Sequence, residues 1–522
     1  MIAFDASGVF RPKTEGDEIR GQALRGAAAT VSASVLSLVA QSVSTVILAR
    51  LLTPDDFGLV AMVTTFSLLV SNFGLNGFTE AVIQCEEIDH QTASNLFWIN
   101  SSAGLVLGIV FAAAGSLLAW FYGNPLVVHV AEGLSVGIVI AAVSVIHLAL
   151  IKRAMYFSTS SANVVVGRAI NTVASIVLAL NGWSYWALVA GSVAQQLSVT
   201  LGAWWLCPWM PSLPRRTGKT GTMVRFAAKV YGQYSLSYSS ANIDNLLIGW
   251  RFNAVALGFY KKAYDLFALS AGQITSPLHN VALAALSRLN HDHDHDRFRR
   301  YFASSLGMIA FLGMAVGANF ILTGKDVVRL VLGPQWSESG RLFELLAPGI
   351  GALLLHGTIG WIHLSTGRPE RWLRWSIAAL AVTVCLFLLA LRWGPEGIAT
   401  AWSVSYWALL IPGFWYAGKP IGFGVSALIG AVWRYVVGAL ISGMATAAII
   451  RFTPFWNTAS SAGAALEAIV GISALFLTLY LSMVVVLHGG LAPVRQLARL
   501  LRELSPSRRF ARPTAEAIEG QE

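Results

Sequence analysis

Lys229, Gln233, Ser237, Ser240 and Asp244 recur at intervals of 4, 4, 3 and 4 residues, a spacing that puts all five on one face of a helix. A cation, a carboxylate and several amide or hydroxyl groups on one face can hold an anionic ligand through charge-assisted hydrogen bonds. Asn242 and the tyrosines Tyr231, Tyr234 and Tyr238 flank that stripe, and Arg251 follows at its end. The next polar run opens with Lys261, Lys262 and Asp265 and continues through Gln273, Ser276 and Asn280. Arg168, Asn171 and Ser175 form a third group, Ser34, Ser37, Gln41 and Ser44 a fourth, and Asn72, Asn76 and Glu80 a fifth. All sit in segments that are otherwise apolar. An ionisable side chain at membrane depth costs about 2.5–3.5 kcal/mol on insertion scales and normally faces protein or water. The Ser and Thr positions fit hydrogen-bonded helix packing, whereas the charged ones fit a water-filled site. The candidate cavity residues are therefore Gln41, Asn76, Arg168, Lys229, Gln233, Asn242, Asp244, Arg251, Lys261 and Asp265.

The elements that must position these groups follow from composition. The chain has 522 residues, 55% of them hydrophobic and 12% charged, against about 25% charged in an ordinary soluble domain. That much polar surface cannot cover several water-soluble cores, which leaves a polytopic membrane protein. A helical crossing takes about 20 mainly apolar residues, and such windows occur at 26–49, 57–79, 97–121, 126–151, 159–181, 184–206, 226–250, 258–287, 301–323, 342–364, 373–391, 396–416, 427–450 and 466–488. The seventh and eighth are the least apolar. Continuous runs of this length exclude a transmembrane barrel, whose strands alternate over about 9–11 residues. With the N-terminus inside, cytoplasmic segments hold 23 of the 36 Lys and Arg residues and the opposite loops 7, so both termini are expected in the cytoplasm. The other 6, Arg25, Arg168, Lys229, Lys261, Lys262 and Arg434, fall in or at the edge of spans. The net charge of +10 is thus mainly topology, and nucleic acid is not an expected partner.

A weak repeat runs at an offset near 200 residues: ILARLLTPDDFGL from Ile47 lies over LIGWRFNAVALGF from Leu247, with Gly58 over Gly258. Gly123-Asn124 and Gly182-Trp183 correspond to Gly333-Pro334 and Gly394-Pro395. Six spans separate the copies, which predicts two six-helix lobes related by a pseudo-two-fold axis along the membrane normal, plus two extra C-terminal helices. The expected organisation is a cytoplasmic arm (1–23), an N-lobe (24–206), an inter-lobe loop (207–225), a C-lobe (226–418), helices thirteen and fourteen (419–488) and a basic amphipathic tail (489–522).

Other motifs read as structural. Thr53, Pro54, Asp55 and Asp56 match a capped helix start. The run HDHDHD at His291 to Asp296 sits beside Arg297, Arg299 and Arg300 as a solvated loop, and His147, His356 and His363 as packing or hydrogen-bonding residues. Leu491, Val494, Leu497, Leu501 and Leu504, interleaved with Arg495, Arg499 and Arg502, fit an interfacial helix on anionic lipid. Cys85, Cys207 and Cys385 form no CxxC pair, so neither a disulfide framework nor a metal site is expected. No phosphate-binding GxxxxGK[ST] loop or hydrolase elbow occurs, and no cofactor or catalytic residue is assigned.

Several stretches, namely LARLLTPDDFGLV from Leu48, NLFWIN from Asn95, NIDNLLIGW from Asn242, LGFYKKAYDL from Leu257 and PLHNVALAALSRL from Pro277, resemble the polysaccharide transport family of bacterial flippases. That family is the Wzx/WzxC-like branch of the multidrug/oligosaccharidyl-lipid/polysaccharide exporter superfamily. The resemblance spans residues 20–490. It implies a fourteen-helix, two-lobed fold in the bacterial inner membrane, with the two extra helices placed as in lipid II flippases. It also implies an undecaprenyl-pyrophosphate-linked oligosaccharide moved between leaflets, in exopolysaccharide, capsule or O-antigen synthesis, with a polysaccharide polymerase and glycosyltransferases as further partners. Buried Lys and Arg would then meet pyrophosphate, and the Ser, Asn, Gln and Tyr groups the sugar. Two alternatives stay open: a drug or metabolite antiporter of the same superfamily, which would favour buried carboxylates, and a membrane polymerase or ligase, which would favour a large extramembrane loop.

Overall fold

A computed structural model describes residue 4 and residues 8–10, 16–85, 87–215, 218–291, 294–453, 462–493 and 495. Within these, the side chains at 16–31, 34, 73–76, 233, 236–237, 273–278, 280–281, 369 and 462 lie outside the description. Sixteen α-helices account for most of the described chain, and its β-pairing is one isolated bridge between Val9 and Asp89. Each of the fourteen predicted windows falls on helical backbone. The tenth is broken into three short helices. Eight helical stretches among the described residues are long and apolar enough to cross a bilayer, and a ninth qualifies if the bent pair Pro334–Leu346 and Gly349–Ser365, angled by 57°, is one span.

The helices form two compact units. The first contains α1 (Gly16–Leu51), α2 (Pro54–Gln84), α3 (His90–Tyr122), α4 (Leu126–Arg153), α5 (Phe157–Leu180), α6 (Tyr185–Leu206), α7 (Gly218–Arg251) and the start of α8 (Ala254–His291), up to Lys261. Its packing is that of a membrane bundle. Helix α3 turns Gly104, Gly108 and Gly115 toward α4, where a Cβ on Gly104 would lie 2.2 Å from that of Ala142. The opposite face exposes Leu105, Val106, Ile109 and Val110, an apolar ridge suited to lipid. Helix α2 starts on a capping box: the Thr53 N–H donates to Asp56 Oδ2 at 2.9 Å, and the Asp56 N–H donates back to the Thr53 hydroxyl oxygen at 3.3 Å. Asp56 is itself buried and also accepts from the Ser184 hydroxyl at the start of α6. One side chain thus joins two helix N-termini. At the other end of α2, Arg153 of α4 donates to the Val82 and Cys85 carbonyls, both at 2.6 Å, a cation placed on the negative end of a helix.

The second unit holds the rest of α8, α9 (His295–Leu332) up to Leu330, α10 (Ser337–Leu346), α11 (Gly349–Gly357), α12 (Ile359–Ser365), α13 (Pro369–Ala390), α14 (Gly394–Gly418), α15 (Val425–Phe452) and α16 (Ala462–His488). Tyr480 on α16 donates to the Phe311 carbonyl at 2.8 Å and stacks on that ring, which docks the last helix on α9. The Arg371 guanidinium lies 4.3 Å from the Tyr416 ring centroid and donates to its carbonyl.

Candidate functional site

Arg168 and Gln41, predicted separately from α5 and α1, are brought into contact: Arg168 Nη1 donates to Gln41 Oε1 at 2.7 Å. Arg168 is half-buried and Gln41 exposed. The polar face continues along α5. Asn171 Nδ2 donates to Gln195 Oε1 on α6 at 2.7 Å, and Ser175 donates to Asn171 Oδ1 at 3.1 Å. Residues 168, 171 and 175 share one helical face, so the chain builds an ordered ladder whose cationic end is Arg168. Gly191 lets α6 approach, since a Cβ there would lie 1.9 Å from Ser175 Oγ. Gln195 was not among the predicted residues, although Gln195-Gln196 is a visible polar interruption of α6.

Asp244 is fully buried on α7. Its Oδ2 accepts from the Tyr260 hydroxyl at 2.6 Å and its Oδ1 from the Asn245 N–H at 2.8 Å. Asn245 in turn donates to Asn242 Oδ1 at 3.2 Å, and Asn242 donates to the Tyr238 carbonyl. Tyr260 directly precedes the two lysines of LGFYKKAYDL. Lys229 shares the helix with Asp244 but not its surroundings: 15 residues of helix separate them by about 22 Å, and Lys229 is exposed. Arg251 is exposed at the end of α7, 5.8 Å from the Phe252 ring. Lys261 is half-buried in the first unit, and Asp265 is exposed in the second. The side chains of Gln233 and Asn76 lie outside the described residues. So do His293 and most of the tail beyond Val494, while Asp294 caps the start of α9 by accepting from the Arg297 N–H at 2.9 Å.

Two arrangements in the first unit explain motifs whose spacing alone said little. In NLFWIN, Asn95 pairs with the Arg215 backbone in both directions, its Nδ2 donating to the carbonyl at 2.5 Å and its Oδ1 accepting from the N–H at 2.9 Å. Trp98 donates to the Ser212 carbonyl and Gln91 to that of Leu213. One face of α3 thereby holds the stretch that leads to α7. Near its start Cys207 is fully buried, and that burial pushes its thiol up to about 11, which suits packing rather than reactivity. The second arrangement is the segment Val331–Trp336, which belongs to the first unit although the chain on either side belongs to the second. Trp336 is fully buried and donates to the Ala49 carbonyl at 2.7 Å. Its ring meets Phe57 and Phe259 edge-on at 5.5 and 5.9 Å, and Gln335 donates to the Leu52 carbonyl at 3.2 Å. The last turn of α1 is thus closed by side chains from a distant loop.

TuaB of Bacillus subtilis (strain 168), a teichuronic acid biosynthesis protein, is 21% identical over 379 residues, 71% of this chain and 76% of that protein. ExoT of Rhizobium meliloti (strain 1021), a succinoglycan biosynthesis transport protein, is 20% identical over 307 residues, 59% and 62% of the two chains. WzxC of Escherichia coli (strain K12), a lipopolysaccharide biosynthesis protein, is 20% identical over 363 residues, 67% and 72%. Among solved structures, the lipid II flippase MurJ in an inward closed conformation covers 89% of this chain and 98% of its own at a TM-score of 0.68 and 14% identity. An inward-facing multidrug resistance MATE family transporter of the MOP superfamily covers 77% and 98% at 0.60 and 13%. The likeness to these structures fixes the fold as an all-α polytopic membrane protein. A family model described as "Polysaccharide biosynthesis protein" matches residues 47–341, more than half of the sequence, and the chain belongs to that family.

Proposed function

We propose that the protein is a flippase that carries a lipid-linked oligosaccharide across the bacterial inner membrane, with both termini in the cytoplasm. The linkage we infer is a polyprenyl pyrophosphate, and the motion an alternating access of two lobes. The family, together with relatives named for teichuronic acid, succinoglycan and lipopolysaccharide synthesis, supports a glycan substrate. The distribution of Lys and Arg supports the orientation.

The observation that carries the reading is Arg168. A guanidinium that is the one charged group of α5, held by Gln41 at 2.7 Å and still half-exposed, is suited to a planar, two-pronged grip on phosphate oxygens. The amide ladder beyond it offers donors and acceptors of the kind that sugar hydroxyls use. Lys229, exposed on α7, supplies a second cation for the same anion at another stage of its passage. Asp244, enclosed by Tyr260 and Asn245, suits a role in holding α7 to α8 rather than in meeting an anion. The test is complementation: in a strain lacking this gene, the wild-type chain is expected to restore surface polymer, and Arg168→Ala is not, at equal protein level. Full restoration by Arg168→Ala would remove Arg168 from the pathway.

A further inference from the structure

The second unit contains a cavity of about 530 Å³ whose lining includes Tyr264, Gly272 and His279 of α8, Gly357 and Trp361 on either side of the α11–α12 junction, and Tyr406 of α14. None of these belongs to the cation and amide groups described above. Ala268, Ala271, Leu353 and Leu354 complete the wall, and its aromatic members are braced. Tyr406 stacks on Trp402 at 5.1 Å, Tyr264 leans on the same indole at 5.7 Å, and Phe387 meets it edge-on at 5.0 Å. Polar groups stand among them. The Trp361 indole N–H donates to His279 Nδ1 at 2.6 Å. An indole nitrogen can only donate, so the neutral imidazole carries its proton on Nε2, leaving a donor on a ring that lines the cavity.

The chain stays helical along this wall. Thr358, between α11 and α12, keeps right-handed helical angles and its N–H bonds the Leu355 carbonyl at 3.0 Å, so Gly349–Ser365 runs on with one tightened turn. Gly357 and Trp361, on either side of that turn, both line the cavity, so their spacing is fixed by helix geometry rather than by a loop.

We propose that this cavity binds one pyranose ring of the glycan, an inference that rests on the flippase reading for the identity of its ligand. A pyranose presents aliphatic C–H groups on its faces and hydroxyls around its rim. Flat aromatic walls with a few edge donors complement both, and the volume lies within the range of small-molecule sites. The site carries no Lys, Arg, Asp or Glu on its wall among the described residues, so it selects for the uncharged sugar and leaves the phosphate to cations elsewhere.

The test uses the full chain in detergent, probed with the methyl pyranosides of glucose, galactose and mannose by saturation-transfer difference NMR. At least one probe is expected to give a signal that falls about fivefold or more in Tyr264→Ala and in His279→Ala and survives in Tyr264→Phe, which keeps the ring wall. Unaltered thermal unfolding of the variants separates loss of binding from loss of fold. No signal with any probe, or a signal equal in wild type and Tyr264→Ala, overturns the proposal, as does displacement of the probe by a polyprenol that carries no sugar. Flipping of a lipid-linked oligosaccharide in vesicles is measured in parallel. A wild type that flips without a Tyr264-dependent glycoside signal refutes the pocket alone, whereas a Tyr264-dependent signal without flipping keeps the pocket and refutes the transport reading.

Discussion

Gly58 and Gly258, superposed by the internal repeat, face each other in the fold. A Cβ on Gly58 would lie 1.6 Å from the Ala254 carbonyl oxygen, and one on Gly258 would lie 1.9 Å from that of Pro54. Both obstacles are backbone, which no side-chain rotation relieves. Gly58→Ala and Gly258→Ala are each expected to destabilise the protein by about 1–3 kcal/mol or more, the range of overpacked sites. Thermal unfolding in detergent checks this: a midpoint unchanged in both variants would show that the two helices separate at no cost.

The Trp336 contact separates into ring and hydrogen bond. Trp336→Phe keeps the edge-on packing against Phe57 and Phe259 and loses the bond to the Ala49 carbonyl, for an expected cost of about 1 kcal/mol. Trp336→Ala removes the whole fully buried side chain and is expected to cost about 3–5 kcal/mol. The same unfolding measurement reads both, and equal effects would mean that the ring contributes nothing beyond its N–H.

Asn95 substitutes for a missing backbone partner by pairing with both polar groups of Arg215. Asn95→Ala leaves them unpaired. Limited proteolysis after residue 215 is expected to speed up several-fold, while Asn95→Asp, which keeps the acceptor and loses the donor, falls between. Cleavage at the wild-type rate in Asn95→Ala would show that Trp98 and Gln91 hold the segment unaided.

Tyr260→Phe deletes the hydroxyl that faces the buried Asp244 carboxylate. Leaving a buried acceptor without its donor costs about 1–3 kcal/mol, so this variant is expected to unfold earlier than Tyr234→Phe, a tyrosine that is only partly buried. Equal midpoints would place the stabilisation of Asp244 in its other contacts.

Helix positions and the α2 cap were legible because each depends on local pattern: apolar windows fall on helical backbone, and Thr53 to Asp56 forms the expected box. The pairing of Arg168 with Gln41 could be anticipated only as two polar residues in apolar segments, since which helices adjoin is a tertiary fact. The α7 stripe shows the opposite limit. Shared helical phase put Lys229 and Asp244 on one face, but phase carries no information on distance along the axis or on burial, and one is exposed while the other is enclosed. The bend of the tenth span falls between Leu346 and Gly349, where Pro348 is its one local signal. Tyr260, Trp336 and the Tyr264–Tyr406 walls were hidden because aromatic residues in an apolar run look like lipid-facing or core residues until their partners are known.

The central claim is transport of a glycan carried on an anionic lipid, with Arg168 in its path. It is tested most directly by reconstituting the purified chain in vesicles loaded with a polyprenyl-pyrophosphate-linked oligosaccharide and following its accessibility to an external glycosidase. The wild-type protein is expected to expose inner-leaflet substrate faster than protein-free vesicles, and Arg168→Ala to slow this by about tenfold or more, the loss expected from one charge-assisted hydrogen bond. A wild-type rate equal to that of protein-free vesicles would contradict the transport claim, and an Arg168→Ala rate equal to wild type would contradict the place of Arg168 in it.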